Sequence, residues 1–203
     1  MQLFETKGTP NARRVHIFMA EKGIDLPRVQ VNLRAGENIA EPFKSKNPIG
    51  RIPVLELDDG TCLSESVAIC RYLEGLHPQP PLFGTTAQSA AVIEMWNRRA
   101  EINFLMSVAM AFRNISGFFK DREKISKEWG EISQEVAADV LPVFDAQLGK
   151  TEYLAGAELS IADITLAVAY DFANAVKVQI PNDLPNINRW HKMLSERPSF
   201  SAA

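Results

Sequence analysis

A chain of 203 residues, 46% of them apolar, has enough hydrophobic side chains for one large or two small folded domains. Its net charge of −3 gives no electrostatic reason to expect nucleic acid or an anionic membrane as partner, and no apolar run approaches the ~20 residues that a membrane helix needs. The opening MQLFETKG lacks the basic start and apolar stretch of a signal peptide, and Cys62 and Cys70 form no metal or redox motif, so both read as buried thiols in a reducing cytoplasm.

Gln2–Phe4 reads as a short strand, followed by a TKGTP loop and a helix from about Asn11 to Lys22. Thr9 before Pro10 is a capping residue followed by proline at the first helical position, Ala12, Val15, Phe18 and Met19 line one face, and Gly23 is the stop. Arg28–Asn32 alternates as a second strand, so a parallel βαβ crossover is the simplest reading. The next stretch, AGENIAEPFKSKNPIG, is polar and broken by prolines. It has room for one short helix near 39–46 and is either a wall of a cleft or a solvated connection.

The segment from Asn47 to Leu76 carries the densest pattern. Ile52, Val54, Leu55 and Leu57 form an apolar run, and Asp59-Gly60 suits a tight hairpin turn, because glycine adopts positive φ without steric cost. Pro53 opens the first hairpin strand without an N–H for the ladder, and Ile52-Pro53 is a candidate cis bond. Ser64 sits where an N-cap belongs, ahead of Ala68, Ile69, Tyr72, Leu73 and Leu76 at helical spacing. Glu65 and Ser66 then fall among unpaired helix-start N–H groups, which suit a carboxylate ligand. The order βαβ-ββα is thioredoxin-like.

His77-Pro78-Gln79-Pro80-Pro81 cannot be helical and reads as a linker, after which only helical periods remain. A helix capped by Thr85 or Thr86 is predicted through Phe112, at 1.5 Å per residue roughly 40 Å long. A second is predicted from about Glu123 to Leu148 with a kink at Pro142. Ser160 and Asp163 form a near capping box before an unusually apolar helix, and Pro185 begins a last helix stopped by Pro198. The domains are therefore an α/β half at 1–76, a linker at 77–86 and an all-α half at 87–203.

Arg51-Ile52-Pro53-Val54-Leu55 followed by Glu65-Ser66-Val67-Ala68-Ile69 resembles the glutathione-binding core of the soluble glutathione transferases. Tyr153-Leu154-Ala155-Gly156 and Ser160-Ile161-Ala162-Asp163-Ile164 extend the resemblance over nearly the whole chain. The resemblance implies that Ile52, before its cis-proline Pro53, and also Val54 pair their backbone with the cysteinyl part of glutathione. It implies that Glu65 receives the γ-glutamyl ammonium and Ser66 the adjacent carboxylate; Arg51 either contacts the peptide's far carboxylate or is solvated, and Asn38 is within reach of the glycyl end. Transferases of this family place Tyr, Ser or Cys where the thiol is activated, and one bacterial branch a Thr with an Asn two residues later. Gly8-Thr9-Pro10-Asn11 is similar to the last, which points to Thr9 and Asn11 as thiolate donors.

A free thiol has a pKa of ~8.5, and lowering it by ~2 units takes ~2.7 kcal/mol of differential stabilisation, within reach of one or two hydrogen bonds and a helix N-terminus. Without the resemblance, Thr9 is only a cap and Asn11 an ordinary first-turn residue. Met106, Met110 and Phe112 are the candidate lining for an apolar cosubstrate, against the plainer reading of core side chains. Arg98, Arg99 and Glu101 on one helix face are either solvated or border a partner subunit, as in the family's dimers. His16, His77 and His191 have no ligand companions at metal spacing, and no metal or cofactor is assigned. The expectation is a cytoplasmic homodimeric transferase that conjugates glutathione to a small electrophile. The alternatives are a glutathione-dependent disulfide reductase and a non-catalytic glutathione-binding module.

Overall fold

A computed structural model of the chain describes residues 1–178, 180–181 and 183–201. The chain divides into two compact units, Met1–Pro81 with the segment from Pro198, and Leu82–Arg197.

The first unit is built on a four-stranded sheet in the order β2-β1-β3-β4, from β1 (Gln2–Glu5), β2 (Arg28–Gln30), β3 (Val54–Glu56) and β4 (Cys62–Ser64). β2 runs parallel to β1 through the crossover helix α1 (Pro10–Glu21), while β3 is antiparallel to both β1 and β4. Side chains alternate across the sheet. Phe4 and Val54 point to one face, where Phe43 of the short helix α2 (Phe43–Lys46) meets the Phe4 ring edge-on and packs with Val31 and Val54. Glu5 points to the other face, where His16 of α1 binds its carboxylate, and α3 (Ser66–Leu76) lies beside α1.

Several local expectations change in this unit. The loop before the hairpin carries two short pieces, a 3₁₀ turn at Glu37–Ile39 and α2, instead of one helix. Ser64 is not an N-cap: β4 extends through it, and the helix-start position falls on Glu65. Thr9 occupies the cap position of α1 but does not cap, since its hydroxyl donates backwards to the Thr6 carbonyl at 2.8 Å. His16 does have a carboxylate partner, Glu5, because the fold brings together groups 11 residues apart.

Cys70 is fully buried, and burial pushes its thiol up to about 12, whereas Cys62 is only half-buried, contrary to the reading of both as buried. In a thiol-alkylation experiment at pH 8 the native protein should be modified at Cys62 and protected at Cys70 until it is unfolded. Mass mapping that finds Cys70 modified in the native protein would contradict its placement.

The second unit is helical throughout its described elements: α4 (Ala87–Arg98), α5 (Met106–Ser116), α6 (Lys127–Leu148), α7 (Ile161–Ala175) and α8 (Pro185–Ser195). α7 is its centre, buried at every position from Ile161 to Tyr170. The predicted single helix from Thr86 to Phe112 is continuous but not uniform, because a π-helical segment at Arg99–Leu105 joins α4 to α5. Trp96, Ala100, Phe104 and Val108 are all buried along this run.

α6 starts at Lys127 instead of Glu123, because Ser126 accepts from the Trp129 N–H and donates its own N–H to Asn114. It continues through Pro142 to Leu148. α8 stops ahead of Pro198 as expected, but it is not the last helix. Pro198 opens a short helix, α9 (Pro198–Ser201), that packs on α1 in the first unit, with Arg13 donating to the Phe200 carbonyl and Ser199 bonding Glu21.

Candidate active site

The hairpin register brings the two halves of the sequence pattern together. Val54 pairs with Ser64, so Ile52-Pro53, just before β3, and Glu65, just after β4, lie at the same end of the hairpin ladder. The Ile52-Pro53 bond is cis. Val54 lies inside the ladder, flanked by Phe4 of β1 and Ser64 of β4, while Ile52 precedes the strand with its backbone outside that pairing.

Two polar side chains fix the approach to this corner. Asn38, nearly buried, donates Nδ2 to the Gly50 carbonyl at 2.7 Å, and Asn47 donates Nδ2 to the Arg51 carbonyl at 2.8 Å. Gly50 has φ of +71°, and a Cβ there would meet the Asn38 carbonyl at 2.8 Å, so the position demands glycine on both counts. Arg51 carries an exposed side chain. Asn38 thus shapes the loop, with one of its two Nδ2 hydrogens on the Gly50 carbonyl.

Glu65 is exposed and has φ of 69°, a left-handed conformation that costs a non-glycine residue about 1–3 kcal/mol. That strain turns the chain from β4 into α3 within one residue, which leaves the Glu65 carboxylate beside the α3 N-terminus. Ser66 follows, nearly buried. Its Oγ accepts from Arg14 Nη1 at 2.7 Å and donates to Asn11 Oδ1 at 3.4 Å.

Asn11 and Ser66 therefore meet, although 55 residues separate them. Because the Thr9 hydroxyl is turned to Thr6, no side chain caps the first turn of α1. A hydroxyl has one proton, so Thr9 must leave Thr6 before it can donate to a ligand. Loop 6–8 is itself braced: Gln30 donates Nε2 to Glu5 at 2.9 Å and accepts the Lys7 N–H at 3.0 Å.

Arg14, completely buried on α1, is the residue that sequence reasoning missed. The available signal was a charged side chain inside a helix that is otherwise buried from Ala12 to Met19 except at Arg13.

The second-substrate candidates do not stay together. Met106, 52% exposed, and Met110 stand four residues apart on one face of α5. Phe112 is turned away by roughly 200° from Met110 and joins an aromatic cluster with Phe118 and Phe172 at centroid distances of 5.7 and 5.5 Å. Phe112 itself is half-buried. Arg98 pairs with Glu94 at 3.1 Å and Glu101 at 2.6 Å, and Arg99 lies over the Trp96 ring. No group of three metal-binding side chains occurs among the described residues, and none of the helices searched there is long and apolar enough to cross a membrane.

Residues 1–75 match the glutathione S-transferase N-terminal domain, and residues 108–198 the glutathione S-transferase C-terminal domain. The chain is 36% identical to glutathione S-transferase 2 of Saccharomyces cerevisiae, an alignment that covers 98% of this chain and 87% of the relative. The chain belongs to the glutathione S-transferase family. Solved structures agree. A glutathione S-transferase domain-containing protein of Marinobacter aquaeolei superposes with a TM-score of 0.96 at 37% identity, covering 98% of this chain and 100% of that one. Gtt2 of Saccharomyces cerevisiae superposes at 0.93 and 35% identity, covering 100% and 99%. For this glutathione transferase the fold is thus the family's own, a thioredoxin-like half followed by a helical half. Glutathione serves the family as a cosubstrate, and the conjugation chemistry calls for no cofactor.

Proposed function

We propose that this glutathione transferase conjugates the thiolate of glutathione to a small apolar electrophile, with the sulfur held by Asn11 and the uncapped first turn of α1. The observation that carries the reading is the convergence of Ile52-Pro53, Glu65, Ser66 and Asn11 on one corner of the first unit. Glu65 takes the ligand's ammonium, the Ser66 N–H takes its α-carboxylate, and the Ile52 backbone pairs with the cysteinyl residue. Val54 supports that pairing by packing, and Arg51 is the side chain placed to answer the terminal carboxylate.

The sulfur meets donors only. First-turn amides without a cap and the positive end of the α1 dipole both favour an anion. Thr9 is the weaker donor, since its proton is engaged. Asn11→Ala should therefore raise the pKa of bound glutathione, followed by thiolate absorbance against pH, by more than Thr9→Ala does. If neither variant moves that titration while both bind glutathione, the activation reading fails and a non-catalytic binding role takes its place. Reduction of glutathione mixed disulfides without conjugation of any electrophile would instead favour the reductase reading.

The same reading makes the protein a cytoplasmic homodimer. Met95, Ile102 and Met106 are exposed along the α4–α5 run, and a groove of about 560 Å³ lined by Trp96, Arg99, Pro142 and Val143 opens on the same unit. Apolar side chains ringed by Arg98, Arg99 and Glu101 suit a two-fold partner better than solvent. Sedimentation at micromolar concentration and moderate salt should give twice the 22.6 kDa chain mass. A monomer would contradict the assembly.

A further inference from the structure

We infer that Arg14 is a positioning residue of this site, which acts through Ser66 to set the direction in which the Asn11 amide presents its hydrogens. The inference rests on the proposed role of Asn11 and deepens it. Arg14 is completely buried, and its Nη1 stands 2.7 Å from Ser66 Oγ. A guanidinium only donates, so Ser66 Oγ must accept from it, and the single hydroxyl proton of Ser66 points elsewhere. The neighbour it reaches is Asn11 Oδ1 at 3.4 Å. A proton arriving there requires the oxygen of the amide, not its nitrogen, on the Ser66 side.

Left alone, an exposed asparagine on a first helical turn presents its oxygen or its NH₂ with little preference. Arg14 takes one lone pair of Ser66 Oγ and turns the hydroxyl proton towards Asn11, which favours the orientation in which Nδ2 with its two hydrogens faces away from Ser66. A thiolate needs donors, and an Asn11 oxygen turned towards it would repel it. Arg14 therefore fixes the polarity of a site it does not touch. The Ser66 N–H stays available for the ligand's carboxylate, since the relay uses only the side chain. The 3.4 Å link is long enough to tighten when the ligand arrives.

The test is a double-mutant cycle on the pKa of bound glutathione, read by thiolate absorbance, with Arg14→Met, Asn11→Ala and the pair. Arg14→Met should raise that pKa by about half a unit to one unit, the worth of one hydrogen bond. It should add nothing in the Asn11→Ala background. Glutathione affinity measured well below the pKa, where the thiol is protonated in every variant, should change little between wild type and Arg14→Met.

Failure of the inference and failure of the underlying reading look different. If Asn11→Ala leaves the titration in place, Asn11 is not a donor and both fall. If Asn11→Ala moves it and Arg14→Met does not, only the relay falls. If the two shifts add, Arg14 acts by its own charge and the relay falls again. Should Arg14→Met not fold, Ser66→Ala removes the middle link and keeps the N–H, and an unchanged titration in that variant overturns the proposal.

Discussion

Asp163→Asn should lower the unfolding free energy by about 3–5 kcal/mol, although it changes one side-chain atom. Asp163 is completely buried at the start of α7 and accepts four hydrogen bonds. One oxygen takes the Leu154 N–H at 2.8 Å and the Trp190 Nε1–H at 3.0 Å. The other takes the Ser160 N–H at 3.1 Å and the Ser160 hydroxyl at 2.8 Å. All four partners donate, and only an acceptor at both oxygen positions satisfies them. An asparagine must turn its NH₂ towards one pair: facing Leu154 and Trp190 it strands two buried donors, and facing Ser160, whose hydroxyl can rotate to accept from it, it still strands the Ser160 N–H, at ~1–3 kcal/mol for each stranded donor. The network ties α7 to the Tyr153–Gly156 turn and to α8, so the loss is felt across the second unit. In thermal denaturation the midpoint should fall by roughly 10 °C. A fall of 2 °C or less would mean that the amide finds acceptors not visible in this arrangement. Asp163→Ala, which leaves all four donors without an acceptor, should be no better.

Glu65→Gly should weaken glutathione binding by about 1–3 kcal/mol, roughly 5- to 150-fold in Kd, while folding stability stays level or rises. The two readouts part because Glu65 does two things. Its carboxylate is the proposed partner of the ligand's ammonium, and its backbone sits at φ of 69°, where glycine is at ease and other residues are strained. Glu65→Ala removes the carboxylate and keeps the strain, so it should match the binding loss without the gain in stability. Calorimetric titration and denaturant unfolding of both variants make the comparison. Equal affinities in wild type and both variants would remove Glu65 from the site.

Much of this is legible in the sequence. The Asp59-Gly60 turn, the Ile52-Pro53 cis bond and the Ser160–Asp163 box each depend on residues a few positions apart, and local chemistry decided them. The Arg14–Ser66–Asn11 relay was not legible, because its links span 52 and 55 residues and no periodicity records them. The Thr9 hydroxyl shows a subtler limit. Thr before Pro names the cap position correctly, but a hydroxyl can also donate backwards, and only the Thr6 carbonyl's place settles which. Glu65 was singled out for its charge, and its backbone strain was hidden because nothing about glutamate advertises a left-handed φ.

The return of α9 to α1 has a bearing on how the protein is made. Residues 198–201 are translated after the whole of 82–197, yet they complete the first unit, through Arg13 with Phe200 and Glu21 with Ser199. The sheet and α1 emerge early from the ribosome and must wait, one side of α1 uncovered, until more than a hundred further residues have been added. At ~5–20 residues per second that interval lasts several seconds or more, a window in which the nascent chain offers chaperones a surface that the finished protein no longer has.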